Sequence, residues 1–151
     1  VLRKLEILGI EFCEQPVAAS DHDGLRQVRN ESPIPITADE ALFSPADAIK
    51  LVKAEACDFF NIKLMKAGGI TNAIKISIIA EAANIRCMVG CMLETRLGLT
   101  AAAHVHGARK NILYADLDGN LLVSNDPWKG LVLKDGRWDL PPGPGLGVVP
   151  A

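Results

Sequence analysis

Short apolar runs recur along this chain at nearly constant spacing, and an amphipathic helical stretch separates each from the next. The runs are expected as strands over Ile10–Glu14, Ile36–Asp39, Phe59–Lys63, Arg86–Gly90 and Ile112–Asp116. Their last residues, Glu14, Asp39, Lys63, Gly90 and Asp116, lie 25, 24, 27 and 26 positions apart. Helices are expected near 23–31, 45–56, 71–84 and 95–108. The second of these has a written start: Ser44 as N-cap, Pro45 in the first turn and Asp47 three residues after the cap. Strand–helix–strand units of this length dictate parallel strands joined by right-handed crossovers.

A parallel sheet of five such units fits either an open doubly wound sheet or a barrel. The ionisable residues favour the barrel. Four of the five runs end in a charged residue, always at the C-terminal end. Barrel enzymes draw one group from each of several strands at that rim. An open sheet gathers its site at one switch point instead. A complete barrel has eight strands, so the expected architecture is α/β, the last five βα strands of a partial (β/α)-barrel. Those units occupy about 8–118. After Asp118 the pattern dissolves into a turn-rich tail over 119–151, with a hairpin expected from Gly130–Lys134 and Arg137–Leu140 about Asp135-Gly136.

Composition agrees with strands buried on both faces. Apolar residues make up 49% of the chain and aromatic ones only 5%, so the core must be aliphatic. The formal charge of −2 comes from scattered groups, which argues against a nucleic-acid partner. No apolar run reaches the roughly 18 residues of a membrane span, and no secretory leader pattern opens the sequence. With an ample core, Cys13, Cys57, Cys87 and Cys91 read as reduced thiols of a cytoplasmic protein. Zinc on Cys87, Cys91, His104 and His106 is disfavoured, because the histidines stand two residues apart on a helix and face different ways.

Glu14, Asp39, Lys63, Asp116 and Asp118 would then surround one barrel mouth. Carboxylates on adjacent strands repel unless a cation sits between them. Oxygen ligands with room left for water and substrate favour Mg²⁺. A lysine beside such a dication has its pKa drawn down and becomes a usable base. Bland readings stand beside these. Asp118-Gly119 is also a turn signal, Cys91 could simply pack at a strand end, and Lys66 reads as a surface loop lysine. Glu94 reads as a helix first-turn carboxylate outside the site.

The segments EFCEQPV, ITADE, NIKLMKAGGI, GCMLETRLG and ADLDGNLLV resemble the enolase superfamily, and in detail its dipeptide epimerases of the Ala-Glu type. The resemblance runs from about Leu8 to Val149. It implies that Glu14 and Asp39 are Mg²⁺ ligands and that Lys63 is one of two acid/base lysines. It also implies that Asp116 and Asp118 hold the α-ammonium group of a dipeptide substrate and that Cys91 lines its pocket. The DxD pair is the most discriminating element, since related cycloisomerases and succinylbenzoate synthases need no ammonium site.

The resemblance further implies an N-terminal capping domain, earlier barrel strands, a second lysine and a third metal carboxylate, none of which is expected within residues 1–151. On that basis the chain is expected to form a homo-oligomer or to need an N-terminal partner chain. Two alternatives to dipeptide epimerisation stay open: another reaction of the superfamily, and a non-catalytic, oligomerising half-barrel remnant.

Overall fold

A computed structural model describes residues 1–151. A one-turn helix α1 (Leu2–Leu5) and a 3₁₀ turn (Glu6–Leu8) lead into strand β1 (Cys13–Glu14). Four further βα steps follow: α2 (His22–Glu31), β2 (Ile36–Ala38), α3 (Pro45–Lys53), β3 (Phe59–Lys63), a one-turn helix α4 (Leu64–Ala67), α5 (Ile70–Ala82), β4 (Arg86–Gly90), α6 (Arg96–Ala108) and β5 (Ile112–Ala115). β3 and β4 fall on their expected spans, whereas β1 is shorter than its apolar run and α4 was not anticipated.

The five strands pair in parallel in the order β1-β2-β3-β4-β5. Sequential order matters. A doubly wound sheet must reverse its strand order somewhere to place helices on both faces, and this one never does. It is a segment of a singly wound (β/α)-barrel.

Strand alternation then sorts side chains between two faces. Phe60 and Ile62 of β3, Ile36 and Ala38 of β2, and Cys87 and Val89 of β4 join Leu25, Leu51, Ile76 and Leu99 of the helices in one aliphatic core. Each fully buried large aliphatic side chain there contributes about 1.5–3 kcal/mol relative to exposure. The opposite, inner face is layered. At its base Phe12, Phe59 and Tyr114 form an aromatic triangle with centroids 5.4–5.9 Å apart. Above it come the buried residues Thr37, Asn61 and Met88, and the ionisable residues crown the C-terminal ends.

Local signals explain the helix starts. The Asp21 carboxylate accepts the Gly24 N–H at 2.8 Å to open α2. Ser44 caps α3 by accepting the Asp47 N–H at 3.2 Å, as its sequence indicates. α6 lacks a local side-chain cap; Asp126, thirty residues on, accepts the Arg96 N–H at 2.7 Å instead. The tail thereby ties back onto the barrel, where Leu131 is buried and its N–H reaches Thr100 Oγ1 at 2.8 Å. The tail contains a 3₁₀ turn (Gly119–Leu122), an antiparallel pair of β6 (Trp128–Lys129) with β9 (Val149–Pro150), and the hairpin β7 (Val132–Lys134) to β8 (Arg137–Asp139). Asp135 and Gly136 both have positive φ at the hairpin turn, as a two-residue connection of this hand demands. No helix is long and apolar enough to cross a membrane.

Candidate active site

Three successive strands deliver Glu14, Asp39 and Lys63 to one place. Glu14 ends β1, Asp39 follows β2 directly, and Lys63 ends β3. Lys63 Nζ donates to Asp39 Oδ2 at 2.7 Å and lies 4.0 Å from Glu14 Oε1. The Asp39 side chain is only 6% exposed, against 34% for Glu14, so Asp39 is the buried centre of the group and Glu14 its open side.

The lysine expected on the surface is the most deeply placed of these. Lys66 is 5% exposed at its side chain and forms an ion pair with Asp39 Oδ1. Its Nζ also donates to the Asp39 carbonyl at 2.5 Å and to the Asn61 carbonyl at 3.3 Å. The reason is α4. A single helical turn begins directly after Lys63, and residues i and i+3 of a helix share a face, so Lys66 folds back over the strand ends. Gly68, with φ of +78°, terminates that turn by donating to the Leu64 carbonyl. A Lys-x-x-Lys followed by two glycines is the local signal for such a turn, and periodicity alone does not reveal it.

Two neutral amides complete the frame. Asn61, one pleat below Lys63 on the same face of β3, donates to Glu14 Oε1 at 2.9 Å. Gln15 Oε1 accepts the N–H groups of Asp39 and Ala41 at 3.0 and 3.2 Å, which pins the loop after β2 beside β1. Gly90 closes the side towards β4. A Cβ there would stand 2.5 Å from Asn61 Oδ1 and 3.1 Å from Lys63 Cε.

The electrostatics follow from this packing. Burial, and then the hydrogen bond with Asp39, hold the Glu14 carboxyl above the usual range. Burial also acts against the Asp39 charge, but hydrogen bonds from Glu14, Lys63 and Lys66 outweigh it and hold Asp39 below that range. For Lys63 burial opposes the ammonium, yet the hydrogen bond to Asp39 and the charges of Asp39, Glu14 and Glu40 prevail, so its pKa is raised. For Lys66, with more burial, desolvation wins and its pKa is lowered. Two carboxylates that both lie within 4.0 Å of the Lys63 ammonium, one of them facing the open side, form an oxygen donor set suited to a hard divalent cation.

A second group lies beyond β4 and β5. Just past the end of β5, Leu117 is buried in the core, and Asp116 and Asp118 on either side of it are both exposed. Cys91 is half-buried, with its Sγ 4.0 Å from Asp118 Oδ1, and Gly119 packs beneath it, where a Cβ would meet Sγ at 3.2 Å. Burial, with Asp116, Asp118 and Glu94 nearby, raises the Cys91 thiol. Glu94 stands just ahead of α6 rather than in its first turn, and its Oε1 accepts the Met92 N–H at 3.1 Å. No hydrogen bond or ion pair joins this group to the lysine–carboxylate cluster; the link between them is Gly90, paired with Lys63 and adjacent to Cys91.

Residues 1–151 match the model of the enolase C-terminal domain-like family. The chain is 45% identical over 153 aligned positions to the L-Ala-D/L-Glu epimerase of Bacillus subtilis, covering 99% of this chain and 42% of that protein. The structure of a substrate-liganded L-Ala-D/L-Glu epimerase from Bacillus subtilis superposes with a TM-score of 0.94 at 43% identity, over 99% of this chain and 43% of that one. A dipeptide epimerase from Cytophaga hutchinsonii, complexed with Mg and D-Ala-L-Val, gives 0.93 at 42% identity, over 99% and 41%. The chain thus spans about two fifths of the length of these relatives.

Proposed function

The chain belongs to the enolase C-terminal domain-like family, and on that premise we propose that it carries one side of the active site of a Mg²⁺-dependent dipeptide epimerase. The observation that supports this most is the convergence of Glu14, Asp39 and Lys63 from three consecutive strands, with Lys63 Nζ 2.7 Å from Asp39 and 4.0 Å from Glu14. Glu14 and Asp39 would hold Mg²⁺, which as a Lewis acid makes the proton α to a substrate carboxylate more acidic. Two protein carboxylates form an incomplete set for an ion that keeps near-octahedral coordination, so further ligands come from outside these residues, from water and from substrate.

Lys63 does the proton work. With Asp39 engaged by the metal, the Lys63 pKa would fall from its raised value, and its neutral Nζ would take the α-proton from one face of the substrate and return it to that same face in the reverse direction. Burial keeps water from the ammonium and preserves the proton it holds. Inversion also needs an acid on the opposite face, and we place that group outside these 151 residues, since the relatives are more than twice as long. Asp116 and Asp118, exposed and flanking the buried Leu117, bind the dipeptide α-ammonium through two charge-assisted hydrogen bonds. Cys91, packed between Gly119 and Asp118, lines the wall beside them.

The test is α-proton exchange in D₂O, followed by NMR on L-Ala-L-Glu and L-Ala-D-Glu with the protein that carries this chain. Exchange should require Mg²⁺ and fall by about 10²–10⁴ in Lys63→Met. Exchange that survives unchanged in Lys63→Met, or that ignores Mg²⁺, overturns the proposal.

A further inference from the structure

Each carboxylate of the pair has one oxygen engaged by a group with no place in proton transfer. Asp39 Oδ1 pairs with Lys66, while Asp39 Oδ2 meets Lys63. Glu14 Oε1 accepts from Asn61 Nδ2 at 2.9 Å. Lys66 is also bound to the Asp39 main-chain carbonyl at 2.5 Å, so it grips that residue at both backbone and side chain. Asn61 is 2% exposed, and the absence of a Cβ at Gly90 leaves the room it occupies.

Resting on the metal-dependent reading above, we propose that Lys66 and Asn61 are positioning residues: each reserves one oxygen of Asp39 or Glu14 and thereby fixes which oxygen of each carboxylate faces the metal. Lys66 is not a second acid/base group. Its ammonium is turned into the frame, among Asp39 Oδ1, the Asp39 carbonyl and the Asn61 carbonyl, with the Phe43 ring 5.6 Å away. A hydrogen-bonding partner behind a metal ligand commonly governs affinity by 10–100-fold.

A merely neutralising cation makes the opposite forecast. Removing positive charge beside Asp39 strengthens its attraction for a dication, so a pure charge role predicts tighter metal binding in Lys66→Met. A positioning role predicts weaker binding. Titration calorimetry with Mg²⁺ alone, on the protein that carries this chain, separates the two without relying on turnover. The expected result is a Kd raised about 10–100-fold in Lys66→Met and in Asn61→Leu, with Lys66→Arg recovering most of the loss because the guanidinium keeps charge and donors. Should Lys66→Met fail to fold by circular dichroism, Asn61→Ser carries the comparison at the Glu14 arm. Unchanged or tighter Mg²⁺ binding in Lys66→Met and Asn61→Leu overturns the positioning role while leaving the metal reading intact. A wild-type protein that binds no Mg²⁺ overturns the metal reading and the positioning role with it.

Discussion

At the scale of single residues, the site depends on a side chain that is missing. Gly90 has an ordinary φ, so its glycine is demanded by space and not by backbone conformation. A methyl group there would meet Asn61 Oδ1 at 2.5 Å, Asn61 Nδ2 at 3.0 Å and Lys63 Cε at 3.1 Å. Asn61 is 2% exposed and its Nδ2 holds Glu14, so any shift of its amide strains the Glu14 hydrogen bond and crowds Lys63. Gly90→Ala should therefore lower thermal stability by about 1–3 kcal/mol, as overpacking does. The same variant should slow Lys63-dependent α-proton exchange by at least about tenfold, since small misplacements of a catalytic group are expensive. A variant that loses stability but exchanges at the wild-type rate would show that Gly90 serves packing alone. The convergence of Glu14, Asp39 and Lys63 was legible in the sequence, where the strand period set it. The place of Lys66 was not, because its burial depends on one helical turn too short to show a period. Nor did Asn61 and Gln15 stand out, because neutral amides become part of a site only through partners 47 and 24 residues away.

Among the elements, the regularity of the βα repeat foretold most of the sheet, and the strongest local start signal proved a true cap. Ser44 accepts the Asp47 N–H and donates its own hydroxyl to Asp47 Oδ2 at 2.7 Å, while Lys50 closes the turn at 3.0 Å. The Ser44 hydroxyl, and then Lys50, hold the Asp47 carboxyl below its usual pKa despite some burial. A lowered native pKa means that this part of the stability is complete above the unfolded value, about 3.9, and is lost as pH falls through the native value. Ser44→Ala should cost about 1 kcal/mol at neutral pH by denaturant unfolding. The gap from wild type should narrow below about pH 4 but not close, because the cap on the Asp47 N–H survives protonation of the carboxyl. A gap that is constant down to pH 2 would show that Asp47 ionisation contributes nothing. The start of α6 could not be foreseen in the same way. Its capping carboxylate, Asp126, arrives from the tail, and sequence patterns register caps only when they are neighbours.

For the whole molecule, sequential strand order decides how the surface is divided. All the crossover helices cover one face of the sheet, and the other face carries the aromatic triangle of Phe12, Phe59 and Tyr114. Both ends of the sheet are open. β1 pairs only with β2, and β5 only with β4, which leaves main-chain donors and acceptors without ladder partners on their outer sides. Ile10, Leu113 and Tyr114 near those edges are 44%, 50% and 36% exposed. The tail does not relieve this, since its anchors, Asp126 and Leu131, engage α6 on the helical side. Apolar surface of this kind next to unpaired strand edges drives association. Residues 1–151 expressed alone should accordingly scatter light as a species well above 16.2 kDa. Phe12→Glu and Tyr114→Glu together should shift that species towards the monomer, by placing charge in the inner face without touching the helical core. A compact monomer at micromolar concentration in the unmodified chain would mean that the inner face is content in water, and with it would go the need for any second body to complete the barrel.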